Sequence, residues 1–343
     1  MSASATSATG LPAAARAGGF LLLALALVVV LALSITVGAR PIALCDIWNA
    51  LTAFDPTQTN HKIILDLRLP RTLVGLLVGS ALGLSGAILQ GATRNPLADP
   101  GILGINAGAT LCVVLGISVF GITQLSGYVW LAFLGAGAAM LVVYLVASLG
   151  REGATPVKLA LAGAAVTAAL TSVTSAILIT NVETLDQIRF WQVGALTGRT
   201  TDILLQVSPF ILAGIVLALL TSRILDGLAL GDDVARGLGL KVQRGRAMVG
   251  FAAVILAGAA TAAAGPIAFV GLTVPHLARA FTGPNYRWIL PYSMLLAPIL
   301  LLGADIIGRI IVPPGELQVG IVTAALGAPF FIALVRRGKL AEL

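Results

Sequence analysis

Two arginines flank a proline at the edge of a long apolar run, in the stretch LRLPRTLVGLLVGSA at residues 67–81. Pro70 is a good first residue for a helix, because its fixed φ and missing N–H cost nothing there. Arg68 and Arg71 are three residues apart, so we expect both to project from the first turn toward solvent. Guanidinium groups hold carboxylates bidentately, which suits docking of an acidic surface. The alternative is that both side chains only snorkel to the membrane surface.

A second charged pair lies near the carboxyl end of the chain. Asp305 and Arg309 are four residues apart, so they share one helical face and are expected to pair. Such a pair near the end of a span can be purely structural. The following helix contains Gly320, Gly327 and Pro329. These residues predict a helix with one face of small side chains that can bend, as a gate needs, although close helix packing explains them equally well.

Motifs of enzyme chemistry are missing from the sequence. There is no G-x-x-x-x-G-K-[ST], so the chain does not bind ATP through a P-loop. His61 and His276 are expected to be structural rather than metal ligands. Cys45 and Cys112 have neither metal-ligand spacing nor a disulfide framework. We therefore expect no catalytic residue, cofactor or metal.

The composition indicates what positions these side chains. The chain has 343 residues, of which 58% are hydrophobic and 10% charged, and its mean hydropathy is +1.01. Soluble domains carry about 25% charged residues, so most of this chain must face lipid or other helices. Its basic residues are scattered rather than clustered, which argues against nucleic-acid binding. The composition therefore predicts an all-α polytopic membrane protein.

Apolar runs separated by Gly, Pro or charged residues predict ten transmembrane helices. The least certain boundary is Gly265-Pro266, where proline could instead kink one long helix. Residues 1–19 are predicted to be a disordered cytoplasmic tail, and residues 338–343 a second cytoplasmic tail. We place the helices at 20–38, 72–91, 102–121, 127–149, 157–180, 203–223, 247–265, 267–281, 288–307 and 316–335.

Loop charges predict the orientation. With both termini cytoplasmic, fourteen of the 21 Lys and Arg residues fall in inner loops and tails and seven in outer loops, as the positive-inside rule requires. Arg68, Arg71 and Arg309 are among the seven that fall on the outer side. Charges that oppose the positive-inside bias are better candidates for function than charges that follow it.

Two connectors stand out for their composition. GATRNPLADPGILGINAGA at 91–109 is either a short inner connector or a broken, re-entrant backbone that lines a path. LALGDDVARGLGLKVQRGRA at 228–247 is the longest polar inner segment and predicts two short amphipathic helices outside the bilayer. These helices could dock in a partner's groove or lie on the membrane surface.

Several blocks of the sequence together resemble the FecCD-type permeases, the membrane subunits of ATP-binding-cassette (ABC) importers for iron chelates, haem and cobalamin. The resemblance covers residues 20–337 and rests on the 67–109 region, LALGDDVARGLGL, GPIAFVGLTVPHLAR and GADIIGRIIVPPGELQVGIVTAALGAPFF, in that order. It implies a ten-helix type II ABC importer permease domain at 20–337. It also implies a second permease subunit, identical or a sister chain, two cytoplasmic P-loop ATPases and an extracytoplasmic substrate-binding protein.

The resemblance also implies roles for individual residues. Arg68, Arg71 and Arg309 match arginines that receive glutamates of the binding protein. The stretch at 183–196 resembles a short outer gating helix, and the second, fifth and tenth helices would line the path. Residues 228–240 resemble the helices that seat in the ATPase, with contacts from Gly231, Asp232, Ala235, Arg236, Leu238 and Gly239. Gating or path-lining positions are Gln90, Asn95, Pro96, Trp191, Gly320 and Gly327.

The function expected from the sequence is import of a ferric siderophore or related metal chelate across a bacterial cytoplasmic membrane. A haem or cobalamin permease of the same family is the nearest alternative. An ion-coupled secondary transporter is the alternative from another class, and a non-transporting scaffold is a third.

Overall fold

The computed structural model describes residues 12–38, 40, 42–122, 124–149, 155–313 and 315–336, and the regular elements within these ranges are all helical. The predicted all-α class is therefore confirmed. The α-helices are α1 (Ala13–Thr36), α2 (Leu44–Thr52), α3 (Thr59–Lys62), α4 (Leu69–Thr93), α5 (Ile105–Phe120), α6 (Leu125–Ser148), α7 (Pro156–Thr180), α8 (Val182–Gln192), α9 (Thr201–Leu220), α10 (Ser222–Ala229), α11 (Asp232–Gly237), α12 (Val242–Ala264), α13 (Val270–Thr282), α14 (Tyr286–Ile311) and α15 (Val319–Arg336).

Each of the ten predicted spans has a counterpart among these helices, although not all are full-length. By length and composition, seven described helices can cross a membrane. They are α1, α4 together with the helical residues 59–68 before it, α6, α7, α9, α12 and α14. The helices α5 and α15 are shorter apolar helices, and α13 has only 13 residues. The remaining helices, including α2, α8, α10 and α11, are short connecting elements.

The first helix begins earlier than expected. It starts at Ala13 after Pro12, whereas the sequence predicted disorder up to residue 19. That prediction was wrong for residues 13–19, where AAARAGG is rich in alanine, the best helix former. Residues 1–11 and 337–343, which include the remainder of both predicted tails, lie outside the described residues.

The second span is longer than predicted and contains an irregular stretch. Helix α3, a π-helical segment at Ile63–Arg68 and α4 form one continuous helix over Thr59–Thr93. Pro70 is therefore inside a helix rather than at its start. A proline ring clashes with the carbonyl four residues before it in a regular helix. The wider π turn, in which Leu69 N–H donates to Ile64 O, lies where that clash would occur.

The predicted break between the seventh and eighth helices is confirmed. Helix α12 ends at Ala264, and α13 begins at Val270. Gly265 has a φ of +76°, and Phe269 has a φ of +69°, so the chain reverses through two left-handed residues. Glycine adopts this conformation at no steric cost.

Helix α4 is the centre of the bundle. Twenty of its 25 residues are buried, and it packs against α9, α12, α13 and α14. Glycines allow this approach: a Cβ on Gly86 would overlap the carbonyl of Gly271 in α13, and a Cβ on Gly79 would lie 2.5 Å from Pro298 Cα in α14. Backbones this close gain dispersion contacts that larger residues would prevent.

Replacing Gly86 by alanine should destabilise the bundle by about 1–3 kcal/mol, because the added methyl must push α4 and α13 apart. Gly303→Ala in α14 is the matched control, since a Cβ there meets nothing within 4 Å. It should be neutral or slightly stabilising. The midpoint of thermal unfolding in detergent measures both variants, and equal midpoints would contradict the packing argument.

Candidate functional site

A buried carboxylate joins two arginines at one end of the bundle. Arg71 donates from Nε and Nη2 to the two oxygens of Asp305, at 3.0 and 2.7 Å. Arg309 also donates to Asp305 from Nε and Nη2, so the pairing predicted from the four-residue spacing is confirmed. The side chain of Asp305 is 1% exposed. Arg71 is on α4, whereas Asp305 and Arg309 are both on α14. The ion pair of Arg71 with Asp305 therefore joins these two helices.

The same arginines cap the carboxyl end of α1. Arg309 Nη1 donates to the carbonyls of Ser34 and Val37, and Arg68 Nη1 donates to the carbonyls of Ile35 and Thr36. The last four carbonyls of a helix have no partner within it, and leaving them bare in an apolar region is costly. A cation at a helix carboxyl end also interacts favourably with the helix dipole.

The expectation that Arg68 and Arg71 project into solvent is therefore wrong for this conformation. Arg68, Arg71 and Arg309 are 7%, 9% and 4% exposed. The reason is that α1 ends beside α4, so its carbonyls and Asp305 draw the guanidinium groups inward. The structure brings the three arginines together, as a shared role requires, but it does not test binding of a partner.

The accessible side of this arginine cluster holds a second carboxylate. Arg71 Nη1 donates to Glu316 Oε2 at 2.7 Å, and Thr197 donates its hydroxyl to the same oxygen. The side chain of Glu316 is 24% exposed. Glu316 was not predicted as a partner of Arg71, because it lies 245 residues away and was placed only as the first residue of the predicted helix at 316–335, whereas α15 begins at Val319.

Arg199 lies near the same end, in the connector before α9. Its Nε donates to Ala195 O, whereas its Nη2 is buried and unpartnered. Burial, and secondarily the charge of Arg71, lower the pKa of Arg199 to about 10. The guanidinium stays charged at neutral pH, so the arginines gathered here outnumber the two carboxylates of Asp305 and Glu316, and the cluster is net positive.

At the opposite end, residues 228–247 contain one complete short helix, α11, rather than the two that were predicted, because α10 ends at Ala229 and the long helix α12 already begins at Val242. Asp232 accepts hydrogen bonds from Arg94 after α4, at 3.3 Å, and from Arg246 in α12, at 2.9 Å. Arg236 pairs with Asp233 on the surface. Gly231 and Gly239 have φ values of +101° and +80°, so both are at turns that favour glycine.

Two of the residues expected at this contact surface have internal roles. Ala235 is fully buried with Leu228 and Val242, so its small size serves packing within the segment rather than close approach of a partner. Asp232 is held by two arginines instead of facing outward. The exposed apolar residues are Leu230, Val234 and Leu238, at successive four-residue intervals.

The residues predicted near the path divide into two groups. Gln90 is buried, where it accepts from Arg279 at 2.7 Å and donates to Leu272 O. Asn95 accepts from the N–H of Leu97 in the turn after α4, and the carbonyl of Pro96 accepts from His276 Nε2. These contacts tie α4, and the connector that leads from it to α5, to α13, and His276 is one of the residues that make them.

The second group forms a backbone junction. A Cβ on Gly265 would overlap the carbonyl of Trp191, and one on Gly320 would overlap the carbonyl of Val193. Gly320 N–H also donates to Gly194 O at 3.0 Å. The end of α8, the α12–α13 break and the start of α15 thus meet without intervening side chains. Farther along α15, Gly327 packs against the ring of Phe269.

An open groove of about 1050 Å³ follows the outer face of α7, the predicted fifth span. Small and hydroxyl side chains from α7 line one side of it. The other side is formed by Asp99, Gly101 and Ile102 of the connector after α4, with Asn106 of α5 and Ala268. Asp99 caps the 3-10 turn by accepting from Gly101 N–H, and burial raises the pKa of Asp99 to about 6. The small and hydroxyl residues of α7 that line the groove are Ala164, Thr167, Ala168, Thr171, Ser172, Ser175 and Ala176.

The described residues contain no cluster of three or more His, Cys, Asp or Glu side chains that could hold a metal ion. His61 is buried, and its Nδ1 accepts from Asp55 N–H at 3.0 Å. Within the described ranges, the geometry is that of a helical bundle with two polar ends and a groove of weakly interacting side chains.

A model of the FecCD transport family matches residues 6–337. The chain belongs to this family. It is 48% identical over 309 residues to the ferric enterobactin transport system permease protein FepD of Escherichia coli K12. The aligned region covers 89% of this chain and 91% of FepD. It is 43% identical to the probable siderophore transport system permease protein YfiZ of Bacillus subtilis 168, with the same coverage.

Similarity to a solved structure agrees with this assignment. A structure described as an inward-facing conformation of a metal-chelate type ABC transporter superposes with a TM-score of 0.82 at 30% identity. The match covers 94% of this chain and 99% of that one. The FecCD resemblance read from the sequence, and the permease fold that it implied, are therefore confirmed.

For the arginine cluster of this FecCD protein, we predict a large structural effect from Asp305→Asn. The change leaves Arg71 and Arg309 without their counter-ion, which for buried pairs costs about 3–5 kcal/mol. Asp186→Asn, in an exposed pair with Arg189, should cost less than about 1 kcal/mol. Thermal unfolding of the purified protein compares them, and similar melting of the two variants would mean that Asp305 does not hold the cluster.

Proposed function

We propose that this chain is the permease subunit of an ABC importer for a ferric siderophore or a related metal chelate. The observation that carries this proposal is the nearly full-length likeness to FepD and YfiZ, whose names describe ferric enterobactin and siderophore transport. The chain would reside in a bacterial cytoplasmic membrane with both termini in the cytoplasm.

The groove on α7 supplies one wall of the translocation path. A second permease subunit, identical or a sister chain, would face it and close the path. Its volume of about 1050 Å³ is ample for a bulky chelate. Alanine, serine and threonine side chains bind such a solute weakly at any one point, so a conduit lined by them releases its cargo easily.

Energy would enter through α11 and its neighbours. Leu230 at the end of α10, Val234 in α11 and Leu238 just after α11 are exposed and apolar. Together they would form an apolar stripe that suits a cleft on a separate cytoplasmic P-loop ATPase, two copies of which would serve the assembly. Asp232 ties this stripe to α4 and α12 through Arg94 and Arg246. A movement of the ATPase would therefore reach the central helix directly.

The arginine cluster would receive acidic side chains of an extracytoplasmic binding protein. Its net positive charge supports this role, and Arg71 is its accessible member because Glu316 shields Arg71 only partly. Arg68 and Arg309, which donate to backbone carbonyls, would act mainly by holding Arg71 and the end of α1 in place.

Two other functions are less well supported. Haem is carried by a relative, the hemin transport system permease protein HmuU of Yersinia pestis, at 38% identity. An ion-coupled secondary transporter would place ionisable groups near the bilayer midplane. In the described spans, the buried ion pairs lie instead toward one end, around Asp305.

Uptake into proteoliposomes tests the proposal. The chain, reconstituted with its partner permease, ATPase and binding protein, should import ferric enterobactin or a ferric hydroxamate only when ATP is present. Haem and cobalamin serve as comparison substrates. Uptake driven by an ion gradient without any ATPase would refute the importer assignment, and exclusive uptake of haem or cobalamin would refute the siderophore assignment.

Leu238→Asp should abolish ATP-dependent uptake while leaving membrane insertion intact, because it places a charge on the apolar stripe without disturbing the buried core. Val119→Asp is the matched control, since Val119, near the end of α5 on the opposite side of the bundle, is similarly exposed. Uptake and size-exclusion profiles are measured for both. Normal uptake by Leu238→Asp would show that the stripe does not contact the ATPase.

Glu316→Gln should tighten binding of the extracytoplasmic protein several-fold, because it removes the carboxylate that competes for Arg71 Nη1. Glu183→Gln, an exposed change on α8, should leave affinity unchanged. Affinities are measured with the purified binding protein on the permease in nanodiscs. Unchanged or weaker binding by Glu316→Gln would remove Arg71 from the docking site.

A further inference from the structure

Helix α2 has a face that nothing in the bundle covers. Its sequence, LCDIWNALT, places Ile47 and Ala50 on one side and Trp48 and Leu51 on another. Trp48 is 68% exposed and Leu51 is 55% exposed. An exposed tryptophan beside an exposed leucine is unusual for a surface that faces only water.

The inner side of α2 fixes its height along the bundle. Ala50 and Ile64 of the π-helical segment belong to one small apolar cluster, which also includes Ile47 and Ile35. Because Ile35 is in the last turn of α1, α2 lies at the level where α1 ends.

The end of α1 marks the edge of the bilayer. Its 24 residues span about 36 Å, which slightly exceeds the roughly 30 Å of the hydrocarbon core. Only 6% of the residues in its apolar window are buried, and Leu21, Leu25 and Val28 are exposed, so this face of α1 contacts lipid while its other face packs on α14. The last turn of α1, and α2 beside it, therefore lie at the boundary between acyl chains and headgroups.

The chemistry of α2 fits that boundary. The exposed residues Cys45, Trp48, Asn49, Leu51 and Thr52 carry no charge. The acidic residue of the helix, Asp46, accepts a hydrogen bond from Asn60 at 2.8 Å and is partly covered. Tryptophan is enriched at membrane interfaces, because its ring is apolar and its N–H reaches polar groups.

We propose that α2 is an interfacial anchor that inserts Trp48 and Leu51 among the phospholipids, continuing the lipid-facing surface of α1. Since α2 packs on Ile63 and Ile64, it holds the π-helical segment, which ends at Arg68, at a fixed depth. The inference depends only on the chain being in a membrane, so it stands or falls independently of the transported substrate.

Spin-label accessibility tests the proposal on the full chain in phosphatidylcholine/phosphatidylglycerol nanodiscs. In a Cys45→Ser, Cys112→Ala background, a nitroxide is attached at Leu51→Cys, at Asn49→Cys or at Gln58→Cys. Asn49 and Gln58 are exposed controls, on another side of α2 and in the following loop. Collision with oxygen, which concentrates in lipid, is compared with collision with water-soluble nickel-EDDA.

The ratio of oxygen to nickel collisions should be several-fold higher at position 51 than at position 58, with position 49 closer to 58. A label at 51 that nickel-EDDA reaches as readily as one at 58 would overturn the anchor. A label shielded from both reagents would also overturn it, because a protein surface would then cover α2.

Tryptophan fluorescence provides a measurement that does not depend on the label. The difference in emission between the parent chain and Trp48→Phe is the fluorescence of Trp48. This contribution should be quenched by lipids brominated near the headgroup. A Trp48 contribution that brominated lipids leave unquenched would contradict the proposal. Size-exclusion profiles of each variant check that the bundle is folded.

Discussion

The carboxylate of Asp305 is the contact on which the architecture around the end of α1 depends. It neutralises Arg71 and Arg309, and those arginines, with Arg68, satisfy the carbonyls at the end of α1. Neither half of this arrangement is stable alone. Buried guanidinium groups need a counter-ion, and a helix end in an apolar region needs donors. One acidic side chain therefore holds α1, α4 and α14 together, although α1 buries little of its own surface.

Strong polar contacts at the ends contrast with weak ones in the middle of the bundle. Between the two ends, α4 packs through glycines and small residues, which fix distance by backbone contact rather than by charge. At the junction of Gly194, Gly265 and Gly320, three connecting segments touch through backbone atoms alone. Elements in such contact can slide without leaving a charge unpaired, whereas separating α4 from α14 would expose Asp305. Relative displacement is therefore easier at α8 and α15 than at the arginine cluster or at α13, whose buried Arg279 donates to Gln90 of α4.

Local patterns predicted much of this structure, and long-range contacts were the part that they could not predict. Apolar length located the ten helices, Gly265-Pro266 marked a true break, and the four-residue spacing identified the Asp305–Arg309 pair. The partners of Arg71, however, lie 234 and 245 residues away. Whether an arginine beside a proline faces solvent or a helix end depends on what packs beside it. Ala235 illustrates the same limit, because a small residue suits a buried turn as well as a contact surface.

Helix α4 gives the two ends a mechanical connection. Arg94, directly after its last residue, bonds to Asp232 of the proposed ATPase-binding segment, and Arg71 in its first turn bonds to Asp305 and Glu316. The helix between them has 25 residues, so these contacts are separated by about 35 Å of continuous, mostly buried backbone. A helix so closely packed moves as a unit, since bending it would open voids against four neighbours. A displacement at one end must therefore be transmitted to the other, where Glu316 and the proposed docking surface lie.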